Sequence, residues 1–531
     1  MNIDWNNLRP ISGKIENGFE EFVAQLAEKE EIPRKKQYIR NGTPDGGVEN
    51  YWILEDDTEI AWQSKWFLSS LDSPQWQQID DSVETMLKKH GKVTKYIIAI
   101  PRDLSDARVE KTMSERQKWG KHVEKWDQMA AEEGRTIVFK LWGSSELIKR
   151  LQQSSNRGIV YFWFNKELFT DEWFSIKNKA AISNLGPRYT PEINIELEIS
   201  NVFDGLSRDE KYLKKLETLI DVVIQKMKKV NRTFKGKELF SNNTIESFHK
   251  KLESEFLKIK NLEFKNYDFG KIEGIIDGIN LFVTETEKKV HQTKDSFEDV
   301  DNDYDSEERI IMRDLFELEE LSNELNIFID HEATKLFNNP FLLINGDAGV
   351  GKSHLLADIV KKREINNEKS ILLLGQHFIN GIPQEQILSH LGLKCSFDEF
   401  LESLNSLARI DGKRILIFID AINESKGLMW EDHLSGLIET IAEYDGIALV
   451  LTVRNSYLEF ISDVKEQLIV KEHYGFKTVE FKALKTFFNH YQLEMPGFPV
   501  FQPEFRNPLF LKLFCEGLKN SGLKSINEFG I

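Results

Sequence analysis

The sequence predicts a multidomain α/β protein in three parts: a mixed sheet with flanking helices at 1–165, a helical linker region at 166–312 and a parallel α/β sheet at 313–531. Three observations predict it. Helical and strand periodicities alternate in the first part, and densely charged helical patterns fill the middle. Continuous apolar runs such as "RILIFIDAI" in the last part are typical of buried parallel strands. At roughly 150 residues per domain, the 531 residues allow about three or four domains.

The first part alternates helices and strands in a recognisable order. The stretch "GFEEFVAQLAEK" has apolar residues at helical spacing, and "ENYWIL" and "TEIAWQSKWF" predict two strands joined by the turn "EDD". Four further elements follow, namely a helix at "QIDDSVETMLKKH", a strand at "KYIIAIP", a helix ending at "AAEEG" and a strand at "TIVFKLWG". Two basic stretches, 33–40 and 88–95, are interpreted as solvated surface.

The middle part predicts an extended connector followed by a helical bundle or stalk. The connector is "SNLGPRYTPEINIELEI", and apolar stripes at helical spacing follow it. The acidic stretch 295–309 is interpreted as a solvated linker. Asp301, Asp303 and Asp305 have the alternation of a calcium loop, but the loop glycine and the terminal glutamate are missing, so the linker is favoured.

Composition restricts the function class. A net charge of -17 argues against a passive nucleic-acid coat, but it leaves a nuclease open, because only the field at the groove matters there. The two cysteines, Cys395 and Cys515, lie in apolar helical patterns and are expected to be buried, reduced thiols of a cytoplasmic protein. No apolar run approaches a membrane span, and the first residues do not resemble a signal peptide, so no membrane partner is expected.

A phosphate-binding loop is the clearest motif. Gly346-x4-Gly351-Lys352-Ser353 follows an apolar strand and precedes a helix, which is the context that the P-loop pattern requires. Its glycines, Gly349 included, let backbone N–H groups close around phosphate oxygens, and Lys352 supplies a positive charge. The Ser353 hydroxyl is expected to ligate Mg²⁺, and His354 adjoins it in the nucleotide site.

Two later strands supply the remaining nucleotide-site residues. Asp420 ends "ILIFID" and is predicted as a second Mg²⁺ ligand, and Glu424 is placed to orient an attacking water. Arg454 ends "LVLTVR", where a basic group can sense the γ-phosphate.

These motifs together resemble the STAND class of P-loop NTPases. "DAINE" resembles its Walker B strand, "TVR" its sensor strand, and "RNPLFLKLFCE" its helical lid, with Asn507 and Pro508 near the adenine. The resemblance implies an ATP-controlled oligomerisation switch with ATP and Mg²⁺ as cofactors, a lid that begins near residue 470, and self-association into a tetramer. The family's winged-helix and sensor domains are not expected within this chain.

A second candidate site lies around "GGVENYWILEDDTEIAWQSKW". Residues i and i+2 of a strand share a face, so Gln63 and Lys65 are expected on one face, with Ser64 directed into the core. Glu49 starts the paired strand and reaches the same end of the sheet, and Gly46-Gly47 lets backbone or DNA approach closely. This predicts a Mg²⁺ site formed by Glu49, Gln63 and a further acid. Glu20 is preferred over Glu21, and Lys65 steadies the water or phosphate.

Residues 1–165 resemble Mrr-like PD-(D/E)xK endonucleases, especially those fused to antiviral STAND NTPases (AVAST-type). The resemblance rests on "GFEEFVAQL", "DGGVE" and "WQSKW", with glutamine at the position of the usual second acid. It implies a Mg²⁺-dependent endonuclease that cuts double-stranded DNA in the bacterial cytoplasm after a separate sensor binds a phage protein.

Two other functions remain open. One is an ATP-dependent oligomerising scaffold whose nuclease-like domain is inactive and only binds DNA or a partner, which the weaker ligand Gln63 would favour. The other is a restriction enzyme driven by a nucleotide-powered motor, which ranks lower because no helicase motif follows Asp420.

Overall fold

A computed structural model of the chain describes residues 3–42, 45–106, 113–165, 168–233, 242–262, 264–294, 304–427, 429–495 and 502–525. The chain divides into two compact units. The first unit is Met1–Thr170 together with Cys395–Ser406, and the second is Asp171–Lys394 together with Leu407–Ile531. The first unit therefore includes a segment that lies far away in sequence.

The first unit contains a sheet and its flanking helices. The helices are α1 (Ile15–Lys29), α2 (Ser73–Lys89), α3 (Glu115–Glu132), α4 (Ser144–Leu151) and α5 (Arg157–Phe164). The strands are β1 (Lys35–Arg40), β2 (Asn50–Leu54), β3 (Glu59–Ser64), β4 (Val93–Ala99) and β5 (Val138–Trp142).

The sheet of the first unit is mixed, as predicted. Its order is β1-β2-β3-β4-β5. Strands β1, β2 and β3 pair antiparallel, whereas β3, β4 and β5 pair parallel. Within 33–40, interpreted as solvated surface, Lys35–Arg40 forms an edge strand in which Lys36 and Gln37 are exposed as expected, whereas Tyr38 is buried. Lysines suit an edge strand because they discourage pairing with other chains.

Helices α2 and α3 begin where local signals place them. Asp72 with Gln75 and Ser114 with Gln117 form reciprocal capping boxes, which satisfy backbone donors at each helix start. An apolar core lies between these helices and one face of the sheet, and it includes Trp76, Val83, Tyr96 and Trp126.

The second unit has two helix-rich regions and a second sheet. Its helices are α6 (Asp171–Leu185), α7 (Val202–Ser207), α8 (Glu210–Thr233), α9 (Asn242–Lys260), α10 (Gly270–Lys294), α11 (Tyr304–Asp330), α12 (Glu332–Asn338), α13 (Lys352–Ile365), α14 (Pro383–Leu391), α15 (Phe397–Asp411, whose residues up to 406 belong to the first unit), α16 (Met429–Ala442), α17 (Glu480–Tyr491) and α18 (Pro508–Asn520). Its strands are β6 (Phe341–Gly346), β7 (Ser370–Leu374), β8 (Ile415–Asp420), β9 (Ile447–Arg454) and β10 (Ile469–Glu472).

This second sheet is all parallel, as the apolar runs predicted. Its order is β10-β6-β9-β8-β7, with β6 and β9 buried in the middle. Strand β10 was not predicted. It occupies the position near residue 470 where the lid was expected to begin, and the next helix, α17, begins only at Glu480. Helices α17 and α18 are called the lid below, after that expectation.

The middle part divides between two structural roles. Helices α8 to α11 enclose one apolar core and so form a helical bundle, one of the two arrangements that were expected. Helices α6 and α7, in contrast, pack onto the parallel sheet, and the Asn178 side chain hydrogen-bonds Ser370 O at 2.9 Å and Leu372 N at 3.0 Å on β7. Residues 171–207 therefore belong to the unit of the parallel sheet and are not a free connector.

Several smaller expectations are settled by the described residues. Most of the acidic stretch, including Asp301 and Asp303, lies outside them, but helix α11 already begins at Tyr304, so the linker does not extend to 309. Both cysteines are free thiols, and Cys515 is buried. Cys395 is only half-buried and precedes α15, so the helical and fully buried interpretation is wrong for it. No helix in the described part of the chain has the length and apolarity needed to cross a membrane.

Candidate functional site

Glu49 is the centre of the candidate site in the first unit. It directly precedes β2, and because Asn50 pairs with Trp62, Glu49 lies opposite Gln63 at the end of β3. The Glu49 side chain is only 8% exposed. One carboxylate oxygen accepts from Gln63 Nε2 at 2.8 Å, and the other accepts from Ser64 N at 2.9 Å and Ser64 Oγ at 2.6 Å. The two strand ends therefore bring Glu49 and Gln63 together as predicted.

Ser64 corrects one expectation. Its side chain is buried, but its hydroxyl donates to Glu49 and so belongs to the polar site, not to the apolar core. The reason is that the Glu49 carboxylate lies against the end of β3 and is bonded by side chains from consecutive residues of that strand.

Gln63 has an amide oxygen with no assigned role inside the fold. Gln63 is 3% exposed. Its Nε2 donates to Glu49 and also to Asp45 Oδ2, at 3.3 Å. Its Oε1 is buried and has no hydrogen-bond partner among the residues that the structure describes. A buried polar atom of this kind is rare unless a water or an ion completes it.

Several charges surround this carboxylate. The pKa of Glu49 is raised to about 8, mainly by burial and in addition by the negative charge of Glu20, while the Ser64 hydrogen bonds and the Lys65 ammonium oppose the rise. Glu20 is on the exposed side of α1. Partial desolvation of its carboxylate raises its pKa, and Asp45 raises it as well, whereas Arg40 and Lys65 lower it. Glu20, Asp45, Glu49 and Lys65 therefore share one electrostatic neighbourhood.

Glu20 and Glu21 have different roles in the structure. The Glu21 side chain is buried, pairs with Arg40 and accepts from Gln25 Nε2 at 2.9 Å. Its charge is therefore already compensated within the fold. The exposed carboxylate of Glu20 fits the predicted preference for this residue over its neighbour.

The double glycine serves backbone packing. Gly47 has φ +84°, and a Cβ atom there would lie 2.4 Å from Ser82 O on α2. Tyr96 Oη also donates to Gly47 O. The sequence left two explanations for Gly46-Gly47, close approach of backbone or of DNA. In the structure the backbone of helix α2 approaches Gly47 closely.

The donor set suits a hard cation only in part. Within the described residues, no three His, Cys, Asp or Glu side chains are gathered closely enough to hold a metal ion by themselves. Glu49, Asp45 and the unpartnered amide oxygen of Gln63 nevertheless offer the oxygen ligands that Mg²⁺ prefers. Asp45 was missed in the sequence, although it stands four residues before Glu49 in "DGGVE".

The phosphate loop of the second unit begins where β6 ends. Gly346, Gly349 and Gly351 all have positive φ, at 156°, 78° and 99°, a backbone conformation in which a larger residue would be strained. Lys352 Nζ donates to Gly346 O at 2.7 Å and to Asp347 O at 2.9 Å, so the ammonium group lies inside the loop. Burial lowers the pKa of Lys352 to about 8, and the charge of Asp420 opposes this shift.

Asp420 lies at the end of β8 beside the loop. It is 2% exposed and accepts a hydrogen bond from Thr452 Oγ1 at 2.6 Å. Burial raises its pKa, whereas hydrogen bonds from Ser353 and Thr452 lower it. The two predicted Mg²⁺ ligands, Ser353 and Asp420, are therefore adjacent.

Glu424 is held by two arginines. Arg454 Nη2 lies 3.2 Å from Glu424 Oε1, and Arg188 Nη1 lies 2.7 Å from Glu424 Oε2. Arg454 was predicted near the γ-phosphate, but Arg188 was missed because it lies 236 positions from Glu424 in a segment interpreted as a connector.

A cavity of about 320 Å³ joins these groups. Lys352, Ser353, His354, Asp420, Glu424 and Arg454 line it, together with Pro508 from the lid. Asn507 caps α18 and donates from Nδ2 to Ala348 O at 2.9 Å, which connects the lid to the phosphate loop. The structure thus brings together the nucleotide-site residues predicted from separate motifs.

The opposite wall of the cavity is formed by residues 186–197, here called the strap. Tyr189 packs on the His354 ring at 4.9 Å, and Asn194 Nδ2 donates to Asp358 Oδ1 at 2.7 Å on α13. Lys512 of the lid donates to Pro187 O and Thr190 Oγ1, both at 2.9 Å. Burial lowers the pKa of His354, so its imidazole is neutral near pH 7.

His473 is a further residue that the sequence did not suggest. It follows β10, and its carbonyl oxygen would lie 2.6 Å from a Cβ atom placed on Gly346. Burial and the neighbouring Lys352 lower the pKa of His473 to about 4. A neutral imidazole therefore adjoins the phosphate loop.

No protein-family model matches this chain, and no curated protein matches it.

Proposed function

We propose that this protein is a nucleotide-controlled, Mg²⁺-dependent endonuclease that cuts double-stranded DNA. The observation that carries the proposal is the buried Glu49 carboxylate, bonded to Gln63 and Ser64 beside Lys65 and Glu20, in a chain that also carries a complete phosphate loop.

The first-unit site supports metal-assisted phosphodiester hydrolysis. Glu49, Asp45 and Gln63 would hold Mg²⁺, with Glu20 completing the charge that glutamine does not supply. A bound Mg²⁺ activates water and offsets charge on the phosphate. Lys65 brings a positive charge to the same carboxylates and is suited to steady the scissile phosphate.

The second-unit site supports binding of ATP with Mg²⁺. Lys352 and the glycines of the loop suit the phosphates, and Ser353 with Asp420 suits the metal. Apolar residues of the strap and the lid, including Ile193, Ile195, Phe476 and Phe487, border the cavity and suit the base.

The biological setting of the proposal rests on the resemblance to antiviral STAND NTPases. In that setting ATP-bound copies associate, as a tetramer, after a sensor binds a phage protein, and association brings nuclease domains together on DNA in the bacterial cytoplasm. The lid contacts of Asn507 and Pro508 with the phosphate loop support a nucleotide-dependent rearrangement of this kind.

Plasmid cleavage with Mg²⁺, with and without ATP, tests the proposal. Wild type is expected to cut, and Lys65→Ala is expected to lose at least about a hundredfold in rate, because removing one preorganised charge from a transition state typically costs that much. Lys352→Ala reports nucleotide control. Cleavage by Lys65→Ala at the wild-type rate would contradict the assignment of the Glu49, Gln63 and Lys65 site as the nuclease site.

One observation favours the scaffold as a second candidate. With a pKa of about 8, Glu49 is mostly protonated at neutral pH in the metal-free protein, so the site carries less negative charge than three acids would supply. A scaffold predicts ATP-dependent association and DNA binding without any cleavage. Isothermal titration with Mg²⁺ separates the two functions, since only the nuclease requires a cation that binds through Glu49.

A further inference from the structure

We propose that Arg188 on the strap is a positioning residue for ATP: it shares Glu424 with Arg454 and turns from Glu424 to the γ-phosphate when a triphosphate binds. This inference rests on the proposed nucleotide site and adds to it an arginine from outside the P-loop motifs.

The first argument is the geometry around Glu424. Each of its two carboxylate oxygens is taken by a different guanidinium, from Arg188 at 2.7 Å and from Arg454 at 3.2 Å. Glu424 is the residue predicted to orient the attacking water. Each oxygen therefore has one of its lone-pair directions committed to an arginine, so the two ion pairs fix the orientation of the Glu424 carboxylate.

The second argument is the position of the two arginines relative to the phosphate site. Arg188 lines the same cavity as Lys352 and Ser353, and its charge lowers the pKa of Asp420. Arg454 lies next to Gly346 across β6 and β9, and its charge lowers the pKa of Lys352. The two arginine side chains are about half exposed, at 45% and 48%, so neither is enclosed by the fold.

The third argument is charge. A γ-phosphate brings roughly two negative charges, and a planar guanidinium binds phosphate oxygens bidentately. Glu424 and the phosphate therefore compete for the same two arginines. When the arginines bind the phosphate, they leave Glu424. The arginines therefore couple entry of a triphosphate to release of Glu424.

The fourth argument is the support of Arg188 by its strap. Residues next to it are fixed from two sides, by His354 and Asp358 of α13 and by Lys512 of the lid. Ile193 and Ile195 belong to the apolar core of the lid helices. A shift of Arg188 is thereby transmitted to the lid, whereas diphosphate, which lacks the γ group, leaves the pair with Glu424 in place.

Equilibrium binding to the full chain with Mg²⁺ tests this inference. Dissociation constants are measured for ADP and for a non-hydrolysable ATP analogue, using wild type, Arg188→Ala, Arg188→Lys, Glu424→Gln and the double variant Arg188→Ala/Glu424→Gln. Lys361→Ala is the matched control, because Lys361 packs over Tyr189 of the strap at 4.7 Å but does not line the cavity.

Arg188→Ala is expected to reduce the preference for the triphosphate over ADP by about tenfold, within the range for a charge-assisted hydrogen bond. Arg188→Lys is expected to retain part of the preference, and Lys361→Ala all of it. Glu424→Gln is expected to tighten binding of the analogue severalfold, and to do so less when Arg188 is already alanine.

Three outcomes overturn the inference. They are an unchanged triphosphate preference in Arg188→Ala, an equal loss in Lys361→Ala, and a Glu424→Gln effect that is the same in both backgrounds. If wild type binds neither nucleotide, the nucleotide site itself is wrong and the inference falls with it. If wild type binds both nucleotides and Arg188→Ala does not change the triphosphate preference, only this inference is overturned and the nucleotide site stands.

Discussion

The Glu49 side chain is expected to make the stability of the protein depend on pH. Its folded pKa, about 8, is above the ordinary value for glutamate, because burial disfavours the carboxylate. A raised folded pKa means that the stability linked to this group is fully present below the unfolded pKa of about 4.3 and is lost as pH rises through the folded pKa.

Thermal unfolding from pH 5 to pH 8.5 checks this linkage. Between pH 5 and pH 8.5 the free energy of unfolding of wild type is expected to fall by on the order of a few kcal/mol more than that of Glu49→Gln. The reason is that one pKa unit corresponds to about 1.4 kcal/mol. Glutamine imitates the protonated acid and keeps the side-chain volume. Parallel pH profiles for the two proteins would show that Glu49 is not the group responsible.

Added Mg²⁺ offers a second test at the same residue. A cation that binds the Glu49 carboxylate competes with its proton, so Mg²⁺ is expected to stabilise wild type more at pH 8.5 than at pH 6 and to leave Glu49→Gln unchanged. Differential scanning calorimetry with and without Mg²⁺ measures the shift. Equal stabilisation of both proteins would place the cation elsewhere.

At the scale of the element, the start of helix α18 combines two roles in one residue. The Asn507 side-chain oxygen accepts from Leu509 N and Phe510 N as a helix cap, and its Nδ2 donates to Ala348 O in the phosphate loop. The two roles are separable by substitution, because aspartate retains the acceptor and lacks the donor.

Asn507→Ala is expected to destabilise the second unit by about 1 kcal/mol through loss of the cap, whereas Asn507→Asp is expected to keep most of that stability. Both are expected to speed release of a bound nucleotide, because both lose the bond to the phosphate loop. Urea unfolding and stopped-flow nucleotide release measure these quantities. An unchanged release rate in Asn507→Asp would show that the contact does not hold the lid.

The elements also show what the sequence makes predictable. Glu49 and Gln63 were found because a single tight strand pair brings them together, and the P-loop because its residues are contiguous. Strand β10 was missed, because its four residues, "IVKE", lack a distinctive pattern and depend on β6 for pairing. Arg188 and His473 were missed because only tertiary packing brings the strap and the end of β10 to the phosphate loop.

At the scale of the whole molecule, the first unit depends on a segment from the distant part of the chain. A Cβ atom on Gly158 would lie 2.0 Å from Glu402 Cβ, and Ser403 Oγ donates to Gly158 O at 3.3 Å. Lys29 pairs with Glu402 at 2.7 Å, and Phe400 packs against Phe169. Helix α5 therefore needs a glycine where residues 399–403 cross it.

Gly158→Ala is expected to destabilise the first unit by roughly 1–3 kcal/mol, as overpacking of a tight contact does. Gly120→Ala is the matched control. Gly120 lies within α3 with open space around its Cα, so alanine there is expected to stabilise by about 0.5–1 kcal/mol. Chemical denaturation of the full chain measures both, and a Gly158→Ala protein as stable as wild type would show that residues 399–403 do not pack as described.

The segment at residues 395–406 also sets an order of events during synthesis. Roughly 240 residues separate Thr170 from the end of that segment. At about 5–20 residues per second, the ribosome needs roughly 10–50 s to add them. During that interval Gly158 of helix α5 and Phe169 lack the residues, Glu402 and Phe400, that pack against them in the folded unit. Residues 3–170 thus emerge before the phosphate loop, but their unit becomes complete only after that loop has been made.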